Sequence, residues 1–179
     1  MELTWFGTAG FRIKTSEHTI LIDPYLSRNE EAKPEQPLES KDIHDGDLIF
    51  ISHGHFDHIL DVPEIASKTG ARIYCGNGIE DKVLHHFGSA GSTPDELERL
   101  GSQPTDILLV PLQGHTHIIQ IALNYVKAFQ PNVVIPHHQD SFFPPISTMV
   151  NLQPFVEGVK EIAPETEVRV LEINQTVTL

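Results

Sequence analysis

Ser52-His53-Gly54-His55-Phe56-Asp57-His58 is the stretch whose reading decides the rest of the chain. The apolar run before it, Leu48-Ile49-Phe50-Ile51, reads as a buried strand. Asp61-Val62-Pro63-Glu64, just after it, reads as a helix start with proline in the first turn. The histidines and the aspartate therefore leave the C-terminal end of a strand, where open α/β sheets place their ligands. Residues two apart in an extended segment face the same side, so His53 and His55 can grip one metal ion. Asp57 and His58 follow the turn and can face a second ion beside the first. A single loop histidine is usually only polar decoration. Three histidines and a carboxylate within six residues make a ligand set. Neutral imidazole and carboxylate suit zinc, iron or manganese, so the expected cofactor is Zn2+, with Mn2+ or Fe2+ as alternatives, as one or two ions.

Outward from this loop, the pattern alternates between strands and helices. Residues 2–6, 11–15 and 18–23 read as three short strands, with Gly7 and Gly10 at the first connection. Residues 27–46 are polar and run over the surface. A helix over 62–69 stops at Gly70, and Ala71–Cys75 reads as a strand. Residues 78–86 have helical spacing, with Ile79 and Val83 on one face, and leave hardly any room for a strand before the turn Phe87-Gly88-Ser89-Ala90-Gly91. Thr93-Pro94-Asp95-Glu96 is a capping box that opens a helix ending at Gly101. Ile107–Leu112 and Val133–Pro136 are buried strands, each delivering histidines at its end: His115 and His117 after the first, His137 and His138 after the second. Ile118, Ile119, Ala122, Tyr125, Val126 and Phe129 form a core-facing helical stripe between them. A helix over 154–163, a strand over Val168–Ile173, a turn at Asn174-Gln175 and a final extended segment complete the chain.

At 179 residues, 39% of them apolar, the chain is expected to form a single domain, 1–179, with a substantial core. Twelve basic against 25 acidic residues give a net charge of −13, which argues against nucleic acid and anionic membranes as partners. A phosphorylated small substrate remains compatible, because a metal supplies local positive charge. The lone cysteine, Cys75, reads as a small buried apolar residue and permits no intrachain disulfide, so a cytoplasmic location is expected. The N-terminal residues lack the basic and apolar regions of a signal peptide, and no apolar run is long enough to span a bilayer.

The motif His53-x-His55-x-Asp57-His58 resembles the signature of the metallo-β-lactamase superfamily, most closely the branch that contains L-ascorbate-6-phosphate lactonase. The resemblance implies a shortened αββα four-layer sandwich, an α/β (α+β) fold with metal ligands along one edge. By the same resemblance, Asp23 at the end of the third strand supports the metal loop from behind. His53 and His55 form one site with a third histidine. Asp57, His58 and His138 form the other, and Asp57 holds or deprotonates the attacking water. Two departures stand out. The block that carries the third histidine has no counterpart near His85-Phe87, and Ser89 stands where a bridging aspartate is expected. His115 or His117 could substitute in the first site; the plainer reading is a pair of polar residues at a helix start. A shortened edge at that junction would favour a homo-oligomer.

The resemblance implies a metal-dependent hydrolase that acts on a small-molecule lactone, ester or phosphoester. A second reading is a degenerate relative that binds metal or ligand without turnover, favoured by Ser89 and the absent block. A third, metal-dependent oxidoreduction, follows from superfamily members that use iron.

Overall fold

The computed structural model describes residues 1–75, 84–86, 88, 97, 101 and 105–179. The chain divides into two compact units. The first comprises Met1–Asn77, Asp140–Met149 and Leu171–Leu179, and the second comprises Gly78–Gln139 and Val150–Val170.

The first unit is built on a six-stranded sheet. Its strands are β1 (Glu2–Gly7), β2 (Gly10–Lys14), β3 (Thr19–Ile22), β4 (Leu48–Ile51), β5 (Arg72–Cys75) and β10 (Thr176–Thr178), in the order β10-β1-β2-β3-β4-β5. The first four in that order run antiparallel, and β4 and β5 continue parallel to β3. Gly7 takes a left-handed φ of +98°, and a Cβ there would come within 3.0 Å of Arg28 Nη1, so the β1–β2 turn needs glycine on both counts. The register sets Ile22 opposite Phe50, which brings the C-terminal ends of β3 and β4 side by side. Two helices follow β4: the single turn α1 (Phe56–Ile59) and α2 (Val62–Thr69), with Pro63 in its first turn and Gly70 as its left-handed stop. Val62 and Ile65 of α2 pack onto Phe6, Leu21, Ile49 and Ile51 of the sheet.

The second unit carries a four-stranded, wholly parallel sheet in the order β6-β7-β8-β9, formed by Leu84–His86, Ile107–Pro111, Val133–His137 and Glu167–Val168. All five residues of β7 are buried, as expected where helices cover a parallel sheet. The unit's two longer described helices are α3 (Ile118–Phe129) and α4 (Gln153–Ile162). Ala122, Tyr125, Val126 and Phe129 of α3 and Phe155 and Val159 of α4 join Leu108, Val110 and Val134 in one apolar cluster.

Two expectations are corrected. Of the helical spacing expected over 78–86, residues 78–83 lie outside the described residues, and Leu84–His86 form a strand instead, paired in parallel with β7 with Leu84 opposite Ile107. The pairing edge of β7 overrides a local preference that rested on few apolar residues. The strand expected over 168–173 ends at Val168. After Arg169 N–H donates to Val134 O at 2.9 Å, the chain leaves that sheet, and Asn174 N–H donates to Trp5 O in the first unit. Ser89, the capping box at 93–96 and the side chain of Cys75 lie outside the described residues. Among the described residues, no helix is long and apolar enough to cross a membrane.

Candidate metal centre

The β3 and β4 ends set up the first unit's donor cluster. Asp23, directly after β3, is fully buried and has a left-handed φ of +41°. A non-glycine residue held there signals a backbone constrained by its surroundings. Its N–H donates to Phe50 O at 3.0 Å, locking it across to β4. Asp23 Oδ1 accepts Ser52 N–H at 2.7 Å, and Oδ2 accepts the Ser52 hydroxyl at 2.5 Å. The same Oδ2 lies 2.8 Å from His58 Nδ1. His58 is buried on α1, a helix turn capped by His55, and its Nε2 is 3.6 Å from Asp57 Oδ2. A carboxylate against Nδ1 holds the imidazole with its Nε2 lone pair available to a cation.

Beside this pair, His53 Nε2 faces His55 Nδ1 at 2.9 Å. The His53 ring is 4.4 Å from that of His55 and 4.0 Å from that of His58, centroid to centroid. Two nitrogens bound tetrahedrally at about 2.0–2.1 Å sit about 3.3 Å apart, so the observed approach needs only a small opening to accept an ion. Burial, reinforced by the His58 and His55 rings, pushes the His53 imidazolium down to about 4. His53 is therefore neutral near pH 7, the form that ligates a metal. Two nitrogens, a third anchored imidazole and a buried carboxylate fit a borderline transition metal.

Around the cluster, Tyr25 meets Phe56 edge-on at 5.9 Å and Phe142 at 6.4 Å, and Phe56 meets Phe143 at 5.5 Å. Burial first, and then the Asp57 carboxylate, push the Tyr25 phenol up to about 12, so it stays protonated. Phe142 is buried, while Phe143 is half-buried against the exposed Phe56.

In the second unit, His138 follows β8 in a left-handed conformation, φ +58°, and is buried. His137, the last residue of β8, is fully buried and stacks on His86 at 4.8 Å with 9° between the rings. His115 and His117 are exposed at the start of α3, where their carbonyls accept Ile118 and Ile121 N–H. The structure thus gathers His53, His55, Asp57, His58 and Asp23 in the first unit, and His138, His137 and His86 in the second. Ser89 lies outside the described residues.

Sequence reasoning missed several groups. Ser52 touches Asp23, His53 and His58 together; its place directly before the motif was the available signal. His86 could be found only through β6. Asp140, two residues beyond His138, accepts Thr8 N–H at 3.0 Å and pairs with Arg28 Nη2 at 2.6 Å. Asp61 accepts Leu26 N–H at 2.6 Å and Ser27 N–H at 2.8 Å, pinning the segment after β3.

Residues 18–100 match the family model of the β-lactamase superfamily domain. The structure of Igni18, a metallo hydrolase from Ignicoccus hospitalis, superposes with a TM-score of 0.77 at 26% identity, covering 98% of this chain and 97% of that one. A metallo-β-lactamase superfamily chain from Thermotoga maritima shares the fold, with a TM-score of 0.66, 21% identity and coverage of 97% and 100%. The fold is the metallo-β-lactamase fold. Within it, a UPF0173 metal-dependent hydrolase from Koribacter versatilis is 42% identical over 157 residues, 79% of this chain and 63% of that protein. The chain's homologues are UPF0173 metal-dependent hydrolases, and its fold is shared with a metallo-β-lactamase superfamily chain. The chain spans 50% and 63% of the lengths of two curated UPF0173 relatives.

Proposed function

We propose that residues 1–179 act as one metal-dependent hydrolase domain on a small-molecule lactone, ester or phosphoester. The observation that carries this is the facing His53 Nε2 and His55 Nδ1 pair beside His58, whose far nitrogen is held by buried Asp23. His53, His55, Asp57 and His58 would hold the ion or ions, Zn2+ first and Mn2+ or Fe2+ next. His138 joins them on the match to the superfamily motif alone. When bound, the ion supplies Lewis acidity that polarises the scissile bond and makes water acidic enough to attack near neutral pH. Asp57 orients that water and takes its proton. Asp23 keeps His58 in register, and Phe56 with Phe143 walls one side. The acidic surface and the single cysteine support a cytoplasmic enzyme with no nucleic-acid or membrane partner. Among the described residues β6 is one of the two outer strands of the second unit's sheet, which supports pairing with a second copy of the chain.

Elemental analysis after purification without added metal, together with a lactone, ester and phosphoester panel, tests the reading. At least one tightly held transition-metal ion and turnover of one substrate class are expected. Asp57→Asn should lower that turnover by about 10²–10⁴-fold without loss of fold. A protein that takes up no metal on titration refutes the proposal. Metal uptake with no turnover across the panel favours the degenerate reading.

A further inference from the structure

We propose that Ser52 is a positioning residue: it fixes His53 as the Nδ1–H tautomer and ties both halves of the donor cluster to the one buried carboxylate of Asp23. The inference rests on the reading of His53 as a ligand through Nε2.

The argument is a count of protons. A serine hydroxyl has one hydrogen to donate and two lone pairs to accept with. Ser52 Oγ meets Asp23 Oδ2 at 2.5 Å, His53 Nδ1 at 3.0 Å and His58 Nδ1 at 3.2 Å. A carboxylate oxygen can only accept, and a separation of 2.5 Å is that of a charge-assisted O–H···O⁻ bond. The single hydroxyl hydrogen therefore points at Asp23. Both imidazoles must then arrive at Ser52 as N–H donors. His58 Nδ1–H is shared with Asp23 Oδ2 at 2.8 Å, and His53 Nδ1–H is directed to the hydroxyl. With its proton on Nδ1, His53 turns an Nε2 lone pair toward His55.

The other His53 tautomer would set its Nδ1 lone pair against Ser52 Oγ. Satisfying it would turn the hydroxyl hydrogen away from Asp23, exchanging a charge-assisted bond for a neutral one about half as strong. The network is anchored at the backbone, since Ser52 N–H donates to Asp23 Oδ1 at 2.7 Å. Asp23 thus reaches His58 directly and His53 through one hydroxyl. Second-layer partners of this kind typically affect metal affinity about 10–100-fold.

Nitrogen-15 NMR of the full metal-free chain, labelled at histidine, reads the tautomer without reference to activity. Wild type should show His53 protonated at Nδ1. Ser52→Ala should transfer population to Nε2–H, whereas Ser52→Thr, which keeps the hydroxyl, should match wild type. In Zn2+ titrations Ser52→Ala should bind about 10–100-fold more weakly and Ser52→Thr nearly as tightly as wild type. A wild-type His53 protonated at Nε2 overturns the proposal, even if Ser52→Ala fails to fold. So does a Ser52→Ala protein whose His53 tautomer is unchanged. A wild type that takes up no Zn2+ yet shows the expected tautomer and its loss in Ser52→Ala supports the role of Ser52 and removes only the hydrolase reading.

Discussion

Asp140→Asn offers a sharp test of how the first unit holds itself together. Asp140 and Arg28 form an ion pair at 2.6 Å, with side chains 0% and 3% exposed. Burial lowers the Arg28 pKa and the Asp140 carboxylate opposes that, so the guanidinium depends on its partner. Its other terminal nitrogen donates to a neutral carbonyl, Pro34 O, at 3.2 Å. Asparagine keeps the shape and can still accept from Thr8 N–H, so the substitution removes mainly the charge. Leaving one member of a buried pair uncompensated costs about 3–5 kcal/mol. At about 2–4 °C per kcal/mol for a chain of this size, Tm should fall by about 6–20 °C. Arg28→Met alone should cost a comparable amount, and the double variant should recover most of the loss, because replacing a whole buried pair is often nearly neutral. Urea titration followed by circular dichroism gives all corners of the cycle. A cost below about 1 kcal/mol for Asp140→Asn, or a double variant as damaged as the sum of the singles, would refute the argument.

Two further outcomes follow from features already described. His53 is held at about 4 in the folded chain against 6.5 for an unperturbed histidine. Between those values the unfolded chain binds more protons, so this group makes metal-free stability fall as pH drops from about 6.5 toward about 4 and leaves it flat above. Urea midpoints in chelator across that window should show the fall, and His53→Gln should flatten it; stability rising toward acid would contradict the sign. The outer position of β6 predicts self-association, so light scattering at micromolar concentration should give about twice the chain mass. A monomer at every concentration tested would mean that the β6 edge carries no contact.

Much of the donor cluster was legible because its residues are local. His53, His55, Asp57 and His58 occupy one loop, and the apolar strand before it and the proline after it mark where that loop sits. The same locality served the helix at Val62–Thr69, bracketed by Pro63 and Gly70, and the helix at Ile118–Phe129, whose apolar spacing persists over its whole length. Arg28 and Asp140 could not be paired by inspection, since 112 positions separate them. Ser52 was hidden differently: serine is common, and its importance lies in linking its neighbours His53 and His58 to Asp23, a contact that exists only once β3 and β4 are in register. β6 is short, and β7 decides its state. The strand expected over 168–173 was overextended because alternating residues cannot reveal where a chain changes sheets.

The last strand of the first unit has a consequence for how the protein is made. The Thr4 and Thr176 hydroxyls meet at 2.7 Å across 172 positions, and the unit also draws on Asp140–Met149. During synthesis every residue of the second unit has been made by Val170, whereas the first cannot close until β10 has emerged. Strands β1–β5 must wait with the β1 edge unpaired until β10 has been made, and contacts of such long range are slow to form. The helices and parallel strands of the second unit should mature first. The sheet that holds the His53–His58 loop should be completed only once Thr176–Thr178 are available to pair with β1.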